Sequence, residues 1–511
     1  MSVVKEEYQD LPPRGEKLCD VVVLAQAWKK SHTYIRRHNW YADVLELDVS
    51  TVDLENHLVQ WATEVCQAEF RPKDLLLVPA PKNARWWFRP TPTITSLDQL
   101  LDLDLNDLGT EPTFEDWTPS EPSQSDSTDG QSGQAHARLK LRPLAHLSIR
   151  DQSLATAVMM CLAEAVESAQ GDTTGTDVAA MRASGVVSYG NRLHCTWVTD
   201  AGVRSRARFS WGNSRTYRQY FQDYRTFLAR PRRVCAELTT QLRPRRELFV
   251  VSLDIKSFFD HVDRNALLAE LKSLELEHRT VHGLPDLAAA DAAFWERAAR
   301  IFSWKWRTED QQEAELIRGE EHQELELGLP QGLVASGFLA NAYLVRFDRD
   351  MQKSAAEGAV VGDDVKLLDY CRYVDDMRLV VEAKSGPGGL GQAAVLEHVK
   401  RHVTSGLKMH CDRIGAQRAL ELSLEKCVAT SYRAISAQSH VSALMEMLNA
   451  ELSGTFDLES LAQAAGGLDG LLWVSEQIES VADPKPSRLA LATVAVPNTD
   501  VRDDTVKRFV A

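Results

Sequence analysis

Tyr370-Cys-Arg-Tyr373-Val-Asp375-Asp376-Met-Arg-Leu-Val-Val-Glu382 sets two adjacent carboxylates between two apolar segments that read as strands. Neighbouring Asp residues at a hairpin tip repel one another, and the pair is costly unless a divalent cation neutralises it. An Asp-Asp turn more often simply breaks a strand, so the pair gains meaning only beside a third carboxylate. Leu248-Phe-Val-Val-Ser-Leu-Asp254-Ile255 supplies one, as a buried-type strand that ends in an acid. A second pair, Gly362-Asp363-Asp364, is set aside as a metal site. It lies in a Gly-rich, charged stretch, whereas Asp375-Asp376 runs into the apolar strand Met377 to Val381.

At 511 residues the chain exceeds the size at which one core stops growing, so two or three substructures are expected. Its eight cysteines show no Cys-x-x-Cys or Cys/His cluster, which argues against a disulfide framework or a zinc site and for a reducing, cytoplasmic setting. No apolar run approaches the roughly 20 residues of a membrane span, and the start lacks the apolar core of a signal peptide. The net charge of −15 counts against a nucleic-acid partner until its distribution is read. Between Asp98 and Asp129 stand ten acids and no Lys or Arg, whereas Ala201 to Glu247 holds twelve Arg and three acids. A basic segment therefore directly precedes Asp254.

Apolar spacing predicts helices within 17–70, a turn and a strand within Phe70 to Lys82 and strands within 139–149. It further predicts helices near 150–167, 213–242 and 393–405. Residues 88–137 are rich in Asp, Ser, Thr, Pro, Gln and Gly and read as a solvated, disordered insertion. Residues 264–325 read as a helical, charged insertion, and 435–511 as a small helical domain. Within 213–242, Arg alternates with Tyr217, Tyr220, Phe221 and Tyr224, a mixture that either grips phosphates and stacks on bases or packs one helix face.

In this order the motifs resemble those of the reverse transcriptases. The likeness is to the bacterial branch that includes group II intron enzymes, retrons and the abortive-infection or unknown-group antiphage enzymes. Leu253-Asp-Ile-Lys-Ser-Phe-Phe-Asp260 is similar to motif A, Leu329-Pro-Gln-Gly332 through Leu339-Ala-Asn-Ala-Tyr343 to motif B, Arg372-Tyr-Val-Asp-Asp376 to motif C, and Leu422-Ser-Leu-Glu-Lys426 to the end of motif D. Pro79-Ala-Pro-Lys82, Arg142-Pro-Leu-Ala-His-Leu-Ser-Ile-Arg-Asp151 and Ser188-Tyr-Gly-Asn-Arg192 resemble the fingers. The resemblance implies a helix-rich α+β right-hand polymerase. Its expected parts are an N-terminal extension (1–54), fingers (55–247), a palm whose antiparallel sheet carries the hairpin (248–434) and a short helical thumb (435–511).

It also implies roles. Asp254 and Asp375 would ligate two Mg2+ ions, with Mn2+ as the alternative metal; the Ile255 carbonyl would assist and Asp376 complete the set. Phe259 falls where the family places its steric gate against a 2′-hydroxyl, and Gln331 would line the nucleotide pocket. Lys426 would protonate the leaving pyrophosphate, and Arg142 and Arg150 would hold the triphosphate. From spacing alone Phe259 reads more often as core, and Lys426 reads nearly as readily as a solvated lysine.

The implied partners are dNTPs, an RNA template or non-coding RNA, and a DNA product, with no membrane and a homo-oligomer left open. The expected activity is RNA-directed or template-independent DNA polymerisation in bacterial antiphage defence, since no zinc-finger, His-Asn-His or RNase H motif is found. Competing readings are a catalytically silent nucleic-acid scaffold and a palm-fold RNA polymerase or nucleotidyl cyclase.

Overall fold

A computed structural model describes residues 11–38, 44–81, 141–175, 177–198, 205–285, 292–318, 325–385 and 389–433. The expected acidic insertion and the C-terminal helical domain lie outside these residues.

The described helices are α1 (Val21–His38), α2 (Val44–Val52), α3 (Leu54–Cys66), α4 (Ile149–Gln170), α5 (Val178–Ala183), α6 (Tyr220–Thr239), α7 (Phe258–His261), α8 (Arg264–His282), α9 (Ala292–Ile301), α10 (Gln311–Arg318), α11 (Ser336–Glu357) and α12 (Gln392–Ile414). The strands are β1 (Leu76–Pro81), β2 (Leu141–His146), β3 (Cys195–Val198), β4 (Arg206–Phe209), β5 (Arg246–Asp254), β6 (Val360–Gly362), β7 (Val365–Tyr373), β8 (Asp376–Lys384) and β9 (Val428–Ser431). Every strand pairing in the three sheets is antiparallel. The chain is therefore helix-rich with antiparallel sheets.

Two compact units separate. One holds residues 74–146 and 305–325, in which β1 pairs with β2 and α10 packs on both. Asp310 caps this arrangement by accepting from the Leu77 N–H at 2.8 Å. The charged spacer thus divides, because α8 and α9 pack in the other unit while α10 joins the β1–β2 hairpin.

The larger unit is built on α4 and a five-stranded sheet ordered β6-β7-β8-β5-β9. α4 is buried on nearly every side, as its run Ala155-Thr-Ala-Val-Met-Met-Cys-Leu-Ala163 demands, with Ser148 accepting from the Asp151 N–H as N-cap. α1, α8 and α9 pack around it. Cys19 and Cys66 are joined by a disulfide, with Cα atoms 6.3 Å apart. This corrects the expectation from spacing: the two thiols are 47 residues apart in sequence, and only the packing of α3 on the Gly15–Cys19 turn brings them together.

Alternation along β7 assigns the two faces of the large sheet. Tyr370 and Arg372 point to α11, where the Tyr370 hydroxyl and the Arg372 guanidinium both reach buried Asp348, at 2.8 and 2.6 Å. Asp369, Cys371 and Tyr373 point to α6. Arg230 pairs with Asp369 at 2.8 Å, and Tyr224 and Phe227 pack their rings on Tyr373. α6 crosses this face, packing on β7, β8 and β5.

Candidate active site

Cross-strand register assembles the carboxylates. Asp254 ends β5 directly opposite Asp376, which begins β8 and itself lies opposite Tyr373 at the end of β7. Asp375 occupies the tip, where Val374 adopts a left-handed backbone (φ +56°). The tip is fastened to β5 because the Ile255 N–H donates to the Asp375 carbonyl at 3.0 Å. Gly190 abuts the tip so closely that a Cβ would stand 2.7 Å from Val374 Cγ2 and 2.9 Å from its backbone nitrogen. That approach explains the glycine in Ser188-Tyr-Gly-Asn191. The neighbouring Tyr189 N–H donates to the Arg372 carbonyl at 2.9 Å, and Asn341 of α11 donates to the Gly190 carbonyl at 2.6 Å.

Two cations answer the three acids. Lys426 Nζ is 2.9 Å from Asp254 Oδ2, on a side chain 64% exposed. It gets there because the Ser423 N–H donates to the Asp254 carbonyl at 2.7 Å and Leu422 bridges Ile255, which lays residues 422–426 along the end of β5. Arg378 places its guanidinium on both oxygens of Asp376, at 2.8 and 3.3 Å, over the Phe227 ring at 5.5 Å. Burial pushes the Asp376 carboxyl up to about 6, Arg378 opposes that shift, and the charges of Asp375 and Asp254 add to it.

A second group assembles beside them. α7 follows Ser257, whose backbone is left-handed (φ +45°), and the Phe259 carbonyl accepts from the Leu329 N–H at 2.7 Å. At Gly328 a Cβ would lie 2.4 Å from that same oxygen, so only glycine lets the 328–332 turn dock here. Gln331 Nε2 donates to Asp260 Oδ1 at 3.0 Å. Gln152 of α4 holds the turn from behind, through the Gly332 carbonyl and the Val334 N–H.

The structure thus brings together Asp254, Ile255, Asp375, Asp376 and Lys426, and separately seats Phe259 and Gln331 on one another's loops. Arg150 has other engagements. Its guanidinium pairs with Glu64 at 2.8 Å and Asp151 at 2.9 Å, donates to the Arg71 carbonyl and covers the Phe70 ring. Arg142 stands exposed on β2 of the smaller unit, opposite Ala80. Asp364, of the pair set aside, is a left-handed turn residue (φ +61°) paired with Arg246, and Asp363 is 92% exposed.

Among the described residues no group of three or more His, Cys, Asp or Glu is spaced to hold a metal ion as it stands. The chemistry of the donor set fits a divalent cation nonetheless. It offers oxygen atoms only, and the Asp376 carboxyl is raised in part by its acidic neighbours. Lys426 and Arg378 set positive charge against these acids.

Residues 215–444, a little under half of the chain, match the family model for reverse transcriptase (RNA-dependent DNA polymerase). The chain carries a reverse transcriptase domain, a nucleotidyltransferase domain, and Asp254, Phe259, Gln331, Asp375, Asp376 and Lys426 all fall inside the match. No match is found among curated proteins. Among solved structures, a telomerase from Candida albicans, determined with a TWJ fragment of telomeric RNA, aligns over 67% of this chain at 12% identity with a TM-score of 0.30. This chain spans about half of that one, 52% of its length. A likeness so weak carries no argument about function.

Proposed function

We propose that the chain is a DNA polymerase of the reverse transcriptase kind, joining dNTPs on an RNA template or without one. One observation carries this reading: Asp254 and Asp376 face each other across adjacent strands, with Asp375 at the tip between them. Two Mg2+ ions held by Asp254, Asp375 and Asp376, with the Ile255 carbonyl assisting, would activate the attacking hydroxyl and steady the triphosphate. The five-stranded sheet is then a palm.

The chain's own residues have distinct tasks. Phe259 closes the space a 2′-hydroxyl would need. Gln331, fixed by Asp260, lines the nucleotide pocket. Lys426 delivers a proton to the leaving pyrophosphate from beside Asp254. The nucleic acid runs along α6 and the segment after it, where Arg225, Arg233, Arg243 and Arg245 are exposed and suit a phosphate backbone. A defence role follows from the resemblance to the abortive-infection enzymes, and loss of protection in a plaque assay with the Asp375→Ala/Asp376→Ala double variant would support it.

Purified protein with Mg2+ and labelled dNTPs should incorporate label, and Asp375→Ala plus Asp376→Ala should abolish it. Equal incorporation by that variant overturns the assignment. Phe259→Ala should reduce the preference for dNTPs over rNTPs by roughly 10- to 100-fold, the scale at which pockets discriminate small groups.

A further inference from the structure

α4 packs against both α8 and β4, and within the larger unit the three elements leave a cavity of about 200 Å3. None of the residues placed around the carboxylates lines it. Helical spacing builds two of its walls. Glu275, His278 and Arg279 stand three and four residues apart on one face of α8, and Met160 and Glu164 four apart on α4. Phe209 at the end of β4 and Trp211 just beyond it add aromatic rings. An apolar cavity of about 150 Å3 accepts a benzene-sized ring, so this one has room for two fused rings.

Two polar atoms of the lining residues lack hydrogen-bond partners among the described residues. His278 is 6% exposed and its Nδ1 is buried unbonded; so is the Nε of Arg206, on a side chain 12% exposed. Buried polar groups are nearly always bonded, so each calls for a partner. The charges around them are already matched. Arg206 pairs with Glu164 at 3.0 Å, and Arg279 pairs with Glu275 and donates to the Pro285 carbonyl, both at 2.7 Å. Arg14, the third guanidinium of the lining, is exposed and faces Glu16 at 3.8 Å. Burial, then His282 and the guanidinium groups of Arg206, Arg279 and Arg208, push the His278 imidazole down to about 3, so the ring is uncharged at neutral pH. With its buried guanidinium groups on carboxylates and its imidazole neutral, the wall favours neither an anion nor a cation.

We propose that this cavity binds an uncharged bicyclic nitrogen heterocycle, a purine base. The Arg206 Nε–H donates to a ring nitrogen or a carbonyl oxygen. His278 Nδ1 completes the edge. An uncharged imidazole presents either a donor or an acceptor at that nitrogen, which suits an amino or a carbonyl substituent. Phe209 and Trp211 supply aromatic surface, and Met160 a polarisable thioether, for the faces of the rings. None of this depends on the polymerase reading.

The test is isothermal titration calorimetry of the full chain with adenine and with hypoxanthine, without divalent cations. Indole, two fused rings without an acceptor nitrogen, and inorganic phosphate are the controls. The better of the two purines should bind at least about tenfold more tightly than either control. Arg206→Lys keeps a charge beside Glu164 but removes the Nε–H, and His278→Phe keeps a ring but removes its nitrogens. Each should weaken purine binding about tenfold, the effect of one hydrogen bond. Ala165→Leu, which adds bulk to the lining, should abolish binding. Thermal melting shows which variants fold, and Arg206→Lys decides the matter if the other two do not. No binding of either purine at millimolar concentration means that the cavity holds water alone and overturns the proposal. So does indole or phosphate binding as tightly as the purines, and so does purine binding that a folded variant leaves unchanged.

Discussion

Among the described residues, two Asp-Asp pairs stand twelve residues apart at strand ends, and almost nothing else about them is alike. Both follow or include a left-handed residue, Val374 in one and Asp364 in the other. The Asp363–Asp364 turn projects into solvent, with side chains 92% and 56% exposed and single partners in His398 and Arg246. The Asp375–Asp376 tip is enclosed. Gly190 abuts it, Asp254 faces it, the Ile255 N–H ties it down, and α6 covers the adjoining rings. Adjacent acids become a site only when the surrounding chain prevents them from moving apart.

Four experiments break or sharpen that contrast. Asp375→Ala/Asp376→Ala should lower incorporation by roughly a thousand-fold, the several kcal/mol that metal-held charge contributes at about 1.4 kcal/mol per decade. Asp363→Ala/Asp364→Ala should leave it within about twofold. Matching losses in both variants would mean that the enclosure of the tip is irrelevant.

Next, Arg372→Met leaves Asp348 beneath β7 with the Tyr370 hydroxyl but no cation. The Arg372 and Asp348 side chains are nearly fully buried, so urea titration should read about 3–5 kcal/mol of lost stability. His410 lies on α12 under α11, where burial pushes its imidazole down to about 4 from an ordinary 6.5. Its folded state disfavours the proton, so the stability concerned is whole above pH 6.5 and is lost as pH falls through that value toward 4. Denaturation at pH 4.5 and 7.5 should differ by about 2 kcal/mol from this group, and His410→Gln should remove that portion. Smallest of all, Asp364→Asn should cost under about 1 kcal/mol, because its pairing with Arg246 is solvent-exposed on the Asp364 side. A loss comparable to that of Arg372→Met would show the outer turn to be as firmly held as the inner one.

Much of the inner pair's surroundings was legible in the sequence, because strand alternation and motif order are local. Asp254 on a strand end, Gln331 on a Gly-flanked turn and a helix within 213–242 all follow from spacing of a few residues. What spacing could not give depends on contacts across long separations. Arg378 looks like an ordinary charged strand residue until β5, β7 and α6 place it against Asp376 and Phe227. The glycine at 190 has a reason only once Val374 is beside it. Arg150, expected to hold phosphate, is bonded to Glu64, 86 residues earlier. The spacer at 264–325 reads as one insertion because its composition is uniform, yet α10 sits with a hairpin whose second strand precedes it by some 170 residues. Charge and helical period do not record which partner a helix chooses.

The position of β5 between β8 and β9 has a consequence for synthesis. The strand that ends in Asp254 emerges from the ribosome well before either neighbour, and its second edge is closed only by Val428–Ser431, near the last of the described residues. Until those four residues are made, the nascent chain carries an apolar strand with one open flank, the feature most prone to pairing with another copy. Premature stops before 428 should therefore yield aggregates, and a product with Lys426 but without β9 would hold its carboxylates on an unfinished sheet.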